Sequence, residues 1–524
     1  MKKKLKFSIV ISTLLILVLS TMTSAQYSGY DWGTAYQVVN ISDAETDIMV
    51  TFYNSNGEQA GDERYFQDVQ PLGSELIVQK KDDTTLGPGS YSAIVSSGLP
   101  IAAIVNQQLY PPNSTNPQPP FSSYSGIDRG GRTIYLPAVM YNYYGFYTEM
   151  FIMNIGTGDA TVTVDYYPTT IDGLITGASG QSSTNITIKA NSSYKLSQQT
   201  MSNLGAPNQA GYDVGKFLGS AIVKSPNQDI AVVVNEHNPA QKKLLTYNGF
   251  VEGSTSVALP VHMRTFYDYY TALTILNTSD TDTACVRITY TPATDQTQLA
   301  TVGGVAATPE PVVVEHTIQP LKSIMRFDGY TAKDEQSDLD DDAPVSYSQF
   351  YGSVLVESIT NSTCTTAPAL VAIMNVESQR TKSSQAGSYN GIALSSASNT
   401  VIAPIILADY YSYYTNLTIQ NVTGNSGTCT FEYTSADGSA KPGLTKSYSH
   451  AMAANGSITI YEGRKGAVRG DVITDVFWQT STSTAFIGAA EITCDNGIQI
   501  VGFTNEERDI LYTDSMYTFN TINK

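Results

Sequence analysis

Four segments of this 524-residue chain align without gaps on an asparagine: Asn40, Asn154, Asn277 and Asn421. Ten residues before it stands Tyr30, Tyr144, Tyr267 or Tyr411, and eight before it Trp32, Phe146, Tyr269 or Tyr413. Six before it is Thr34, Thr148, Thr271 or Thr415. Tyr36, Met150, Leu273 and Leu417 follow at minus four, then Val38, Ile152, Ile275 and Ile419 at minus two. Apolar side chains at every second residue are the mark of a half-buried β-strand. A unit copied four times constrains the fold more than any single motif, because each copy must repeat one structural solution. The anchors are 114, 123 and 144 residues apart, so the later copies carry longer loops.

A second motif recurs further along each copy. Gly89-Ser90, Gly219-Ser220, Gly352-Ser353 and Gly488-Ala489 each lead into a short strand, a turn and an apolar strand ending at Asn106, Asn235, Asn375 or Asn505. Between the motifs lie hairpin signals such as Asn56-Gly57, Asp172-Gly173 and Asp437-Gly438. A shared turn at Ser74, Ser193, Ser323 and Ser457 precedes another short strand. No segment has a helical period. The pattern predicts an all-β chain of four tandem antiparallel β-sandwiches, immunoglobulin-like, over 26–130, 131–253, 254–396 and 397–524.

Residues 1–25 read as a secretory signal peptide: a basic start, an apolar run over 7–19 and the small-residue site Thr23-Ser24-Ala25. The run is short for a hydrocarbon core about 30 Å thick, so no transmembrane segment is expected in the mature chain. Removing the leader's four lysines leaves 25 basic against 47 acidic side chains. That balance argues against nucleic acid, whose phosphates need clustered cations. The expected location is secreted, extracellular or on the cell surface.

The cysteines follow the repeat. Cys285 and Cys429 each lie eight residues after their anchor, and Cys364 and Cys494 lie between the paired strands of the second motif. This predicts disulfides Cys285–Cys364 and Cys429–Cys494 at equivalent places, formed in an oxidising compartment. A four-cysteine metal site is excluded by the absence of any C-x-x-C spacing.

The sequence Tyr-x-aromatic-x-Thr-x-apolar-x-Ile-x-Asn, then GSAIV at 219–223, IAVVVNE at 230–236 and YNGF at 247–250, resembles a tandem extracellular β-sandwich repeat of large exported bacterial surface proteins. The resemblance covers nearly the whole mature chain. It implies location and fold, and brings no catalytic residues with it.

Candidate chemistry is sparse. His237, His262, His316 and His450 are scattered, and no G-x-S-x-G or H-E-x-x-H is present, so no enzyme is expected. The aromatics at minus ten and minus eight share the phase of the core and read as sealing it. The out-of-phase Tyr147, Tyr270 and Tyr414 are the candidates for a ligand or interface surface, since tyrosine joins an apolar face to a hydroxyl. Asp338, Asp340 and Asp342, with Asp334, Glu335 and Asp341, form an acidic run that suits calcium. Ala343 and Gln349 replace the glycine and glutamate of an EF-hand loop, and a solvated insert is the simpler reading. Arg469-Gly470-Asp471 spells an integrin-recognition tripeptide of the kind long chains contain by accident.

Sequons at Asn113, Asn185, Asn191, Asn361, Asn416 and Asn455 are candidate glycosylation sites. Those at Asn40, Asn277 and Asn421 coincide with the anchor, where a backbone-bonding role is simpler. A proline stands seventeen residues before the anchor in three copies, Pro137, Pro260 and Pro404, but not in the first. It marks an edge strand or a stiff linker. If it is a strand, one terminal unit lacks it and offers an open edge to another chain. The function expected from all this is a non-catalytic structural protein of the cell surface, a subunit of a layer, filament or coat. Its partners would be other copies of itself or cell-surface components. The alternative is an adhesin or carbohydrate-binding protein that holds glycans with tyrosine-rich loops.

Overall fold

The structure is a computed structural model. It describes residues 13–19, 31–111, 113, 118–171, 173–178, 181–182, 185–266, 269–293, 301–302, 305–306, 310–328, 349–378, 385–410, 413–436, 445–462, 486–508 and 516–524. The chain is all-β with several antiparallel sheets, and among the described residues it has one short α-helix, Gln79–Asp82, and three single 3-10 turns. No helix among the described residues is long and apolar enough to cross a membrane.

Strands are counted here from one within each repeat. The first repeat runs Thr13–Leu19, Asp31–Asn40, Thr46–Tyr53, Arg64–Val69, Ser74–Val78, Tyr91–Ser97, Ile101–Tyr110 and Gln118–Ser125. One sheet has the order 1-6-3-4 and the other 5-2-7-8, and these pairings recur around each anchor asparagine. In the second, third and fourth repeats strand two is Tyr147–Asn154, Tyr269–Asn277 and Tyr413–Asn421, and strand three Ala160–Pro168, Ala284–Pro292 and Gly427–Ser435. Strand six is Phe217–Lys224, Phe350–Ile359 and Phe486–Cys494, strand seven Ile230–Asn238, Leu370–Ser378 and Ile500–Arg508, and strand eight Lys243–Asn248, Ala386–Asn390 and Met516–Asn520. This differs from the immunoglobulin order, in which the last strands of the C-F-G sheet are neighbours. Here strand seven pairs with two throughout; in the first three repeats strands six and seven lie in different sheets, while in the fourth a contact between strands one and two joins all of them into one sheet.

Each anchor asparagine is buried at the end of strand two and staples the turn that follows. Asn154 Nδ2 donates to the carbonyls of Gly158 (2.7 Å) and Ile188 (2.9 Å), and its Oδ1 accepts from the Gly156 N–H (2.9 Å). Asn40, Asn277 and Asn421 make the same three kinds of bond. A buried amide that meets three backbone groups leaves no polar cost unpaired, which is why the position is written four times. The shared serines likewise open strand five at Ser74–Val78, Ser193–Ser197, Ser323–Asp328 and Ser457–Glu462.

The threonine at minus six holds the two sheets together. Thr148, Thr271 and Thr415 accept from the backbone N–H of Met140 (2.8 Å), Met263 (3.2 Å) and Leu407 (2.8 Å). Those residues belong to Thr133–Tyr141, Ser256–Arg264 and Thr400–Tyr410, the proline-bearing segments. The linker reading of these segments is therefore corrected: each is strand one of its repeat, paired with strand six and bulged at the proline. A Cβ on Gly219, Gly352 or Gly488 would sit 2.1 Å from a strand-three carbonyl, which accounts for the glycine of the second motif.

Two sequence equivalences shift. Strand three meets strand six at Phe52↔Ala93 and at Tyr166↔Ala221, so the first repeat's counterpart of Gly219-Ser220 is Tyr91-Ser92 and not Gly89-Ser90. In the third repeat Asn277 reaches Asp282, five residues on, where Asn154 reaches Gly158, four on. That inserted residue turns Cys285 to the opposite face from Cys429. Cys429 accordingly bridges straight across to Cys494, with Cα atoms 4.0 Å apart. Cys285 bonds Cys364 in the turn beyond strand six, at 5.8 Å. The two disulfides hold the pairs named, at non-equivalent places.

Strand eight of each repeat faces its neighbours in a closed cycle. Asn248 Nδ2 donates to the Ser125 carbonyl (2.8 Å), and Asn390 Nδ2 to that of Asn248 (2.7 Å). Asn520 Nδ2 donates to the Asn390 carbonyl (2.7 Å), and Ser123 Oγ closes the circuit on the Thr518 carbonyl (2.9 Å). These residues surround a cavity of about 200 Å³. A separate buried apolar cluster repeats the closure, where Ile104 of the first repeat packs with Ile405, Leu407 and Ile487 of the fourth.

Candidate binding site

The second and third repeats enclose a cavity of about 220 Å³ with aromatic walls. One wall is the turn from strand one to strand two of the second repeat. Tyr143 and Phe146 exchange both backbone bonds, N–H of Tyr143 to the Phe146 carbonyl (3.2 Å) and the reverse (2.8 Å). Between them Tyr144 (φ 48°) and Gly145 (φ 80°) are both left-handed, the geometry of a two-residue type I′ hairpin. Such a φ is unfavourable for tyrosine, and the turn sets its ring outward, 56% exposed. The ring meets Tyr143 edge-on at 4.9 Å and lies under Lys216 Nζ at 5.3 Å.

The opposite wall is built from the third repeat: Tyr270 on strand two, Met325 and Phe327 on strand five, Asn375 and Glu377 on strand seven. Tyr270 packs edge-on against Phe327 at 4.9 Å. Its hydroxyl donates to Glu377 Oε2 (3.2 Å), which also accepts from Lys243 Nζ of the second repeat (2.7 Å). Lys243 and Glu377 are both buried, so this ion pair is a fixed dipole at the cavity floor. Asn375 Nδ2 donates to Glu236 Oε2 (2.7 Å), while its buried Oδ1 has no protein partner. The site thus offers flat apolar faces beside a buried ion pair, a combination that suits a ligand with one apolar face.

Sequence reasoning found one of these residues. Tyr270 lines the cavity, buried rather than exposed. Tyr147 lies apart, against Tyr141 (5.7 Å) and His237 (6.1 Å), with its hydroxyl donating to Asn142 Oδ1 (3.2 Å). Tyr414 stacks on Tyr461 at 6.3 Å in the fourth repeat. The three tyrosines therefore form no common surface. Tyr144, expected to seal the core, is instead the exposed member of the site. Gly145 was the available signal, since a glycine in a two-residue strand junction suits the positive φ of a primed turn, while Tyr144 before it is not the usual Asn, Asp or Gly.

Asp338, Asp340, Asp342 and the Arg469-Gly470-Asp471 tripeptide lie outside the described residues. Among the described residues no three His, Cys, Asp or Glu side chains gather as a metal site would require. Of the sequons, Asn113, Asn185, Asn361 and Asn455 are exposed, and Asn191 and Asn416 are half-buried. Asn361 Oδ1 is engaged by the N–H groups of Thr363 (2.8 Å) and Cys364 (2.9 Å), and Asn416 Nδ2 donates to Glu507 (3.1 Å). The histidines stay scattered: His237 is buried, and burial pushes its pKa down to about 4.

No protein-family model matches the chain, and no curated protein does. Among solved structures the chain is similar to "Crystal Structure of Thermotoga maritima 1070", at 11% identity and a TM-score of 0.17, over 22% of this chain and 92% of that one.

Proposed function

We propose that this is an exported, non-catalytic structural protein of the cell surface, a subunit of a layer, filament or coat built from four β-sandwiches. The observation that carries the reading is the closed cycle of strand-eight contacts, through which each repeat is bonded to two others. Buried amides join repeat to repeat, as in the Gln107–Asn235 pair between the first and second. That turns a tandem chain into one rigid block, a form suited to bearing load or tiling a surface. The two disulfides and the sequence's leader agree with an extracellular site. Electron microscopy of native cells and of the purified mature chain tests it. Ordered arrays or filaments are expected, and a strict monomer by light scattering at high concentration would overturn it.

The aromatic cavity favours a second reading, a glycan-binding protein. On a glycan array that reading expects saturable binding that Tyr144→Ala abolishes. Because Tyr144 is exposed, the change leaves the core intact, and unaltered binding would count against the cavity.

A further inference from the structure

Strand one of the first repeat is not a proline-bearing strand but the leader's own apolar run. Thr13–Leu19 pairs antiparallel with Tyr91–Ser97, from Thr13↔Ser97 to Leu19↔Tyr91. In the other repeats this place belongs to Thr133–Tyr141, Ser256–Arg264 and Thr400–Tyr410. We propose that removal of the leader opens the edge of Tyr91–Ser97 as a strand-acceptor site. It takes an extended, uncharged apolar segment of about seven residues from an exported partner chain, added antiparallel to the sheet.

Three features of the first repeat fit a strand supplied from outside. Its threonine at minus six, Thr34, is buried like the others but is bonded to Gln79, whereas Thr148, Thr271 and Thr415 each hold an amide of their own strand one. Tyr91 stands where Gly219, Gly352 and Gly488 accommodate the close approach of strand three beside the proline bulge, and the pairing with Thr13–Leu19 runs without a bulge. The acceptor strand, YSAIVSS, carries no charge, nor does the segment seated on it, TLLILVL. Charge therefore selects an uncharged occupant. Ala93 and Val95, buried in the core beneath, supply the reason an occupant is needed. An unpaired edge flanking such residues binds strands readily.

The inference rests on removal of the leader, and its test is separable from that of surface assembly. The mature chain, secreted and shown by intact mass to begin at Gln26, is mixed with a synthetic peptide of residues 13–19 flanked by lysines, the unbulged segment that pairs with Tyr91–Ser97. Hydrogen exchange is read with and without it at those amides of residues 91–97 that do not bond Thr46–Tyr53, the strand on the other side. Exchange is expected to slow at least tenfold and saturably, whereas a control peptide with Leu15 and Leu17, the residues opposite Val95 and Ala93, changed to Asp leaves it fast. Protection of those edge-facing amides without peptide, no slowing with it, or an exported chain that retains residues 13–19 would each overturn the proposal. Peptide binding without any ordered assembly would count against the structural role alone.

Discussion

Changing Lys243 to methionine is expected to lower stability by about 3–5 kcal/mol, the cost of leaving one member of a buried ion pair without its partner. Lys243 comes from strand eight of the second repeat and Glu377 from strand seven of the third, 134 residues away. With the ammonium gone, the Glu377 carboxylate keeps the Tyr270 hydroxyl (3.2 Å) but no counter-charge, in a site where both residues are less than a tenth exposed. The double variant Lys243→Met, Glu377→Leu removes both charges together and is expected to recover most of the loss, because apolar replacement of a whole buried pair is commonly near neutral. Denaturant unfolding of the wild type, single and double variants measures the difference. A single variant within about 1 kcal/mol of wild type would show that water reaches the pair. The same change should slacken the cavity, since the pair ties its two walls together.

The strands and the anchor turns were legible because each rests on local chemistry. Asn154 needs only its own turn to satisfy its amide, and the serines that open strand five need only theirs. What escaped was decided by partners far off in sequence. The strand-eight residues Ser125, Asn248, Asn390 and Asn520 look like loop polar residues, and only the closed cycle shows them bonded across repeats. A single inserted residue after Asn277 was enough to reverse the face of Cys285, because side chains alternate with period two. Tyr144 was assigned to the core by phase. A left-handed turn interrupts that phase two residues before the strand resumes. Of the cavity, Tyr270 could be named from sequence, while Lys243, Asn375 and Glu377 are brought to it by the packing of one repeat on the next.

Glu236→Gln is expected to stabilise the protein, and to do so most strongly in alkali. Glu236 is fully buried, accepts one bond from Asn375 Nδ2 (2.7 Å) and has no partner for Oε1. Burial pushes its pKa up to about 8, with a further push from Glu377 against the pull of the Asn375 bond. Glu506, the corresponding residue of the fourth repeat, is raised to about 8 by burial. A carboxyl whose folded pKa lies above its unfolded value gives its full stability below the unfolded value, about 4.3, and loses it as pH rises through 8. Wild-type stability should therefore decline between pH 5 and 9 by roughly 2–4 kcal/mol for each such group. The first repeat shows what glutamine does at this place. Gln107 Nε2 donates to Asn235 Oδ1 (3.1 Å) and receives a bond from Asn235 Nδ2 (3.0 Å), a reciprocal pair with no ionisable member. In Glu236→Gln the same exchange becomes available to Asn375, whose Oδ1 is unpartnered. Melting curves across that range should converge near pH 5 and separate towards pH 9, with the variant above; Glu506→Gln should behave alike. Parallel curves for variant and wild type would mean that Glu236 ionises in the folded state at its ordinary pKa. On the acid side a different group governs: His237, held neutral by burial down to about pH 4, takes stability away as pH falls from the ordinary histidine range through that value.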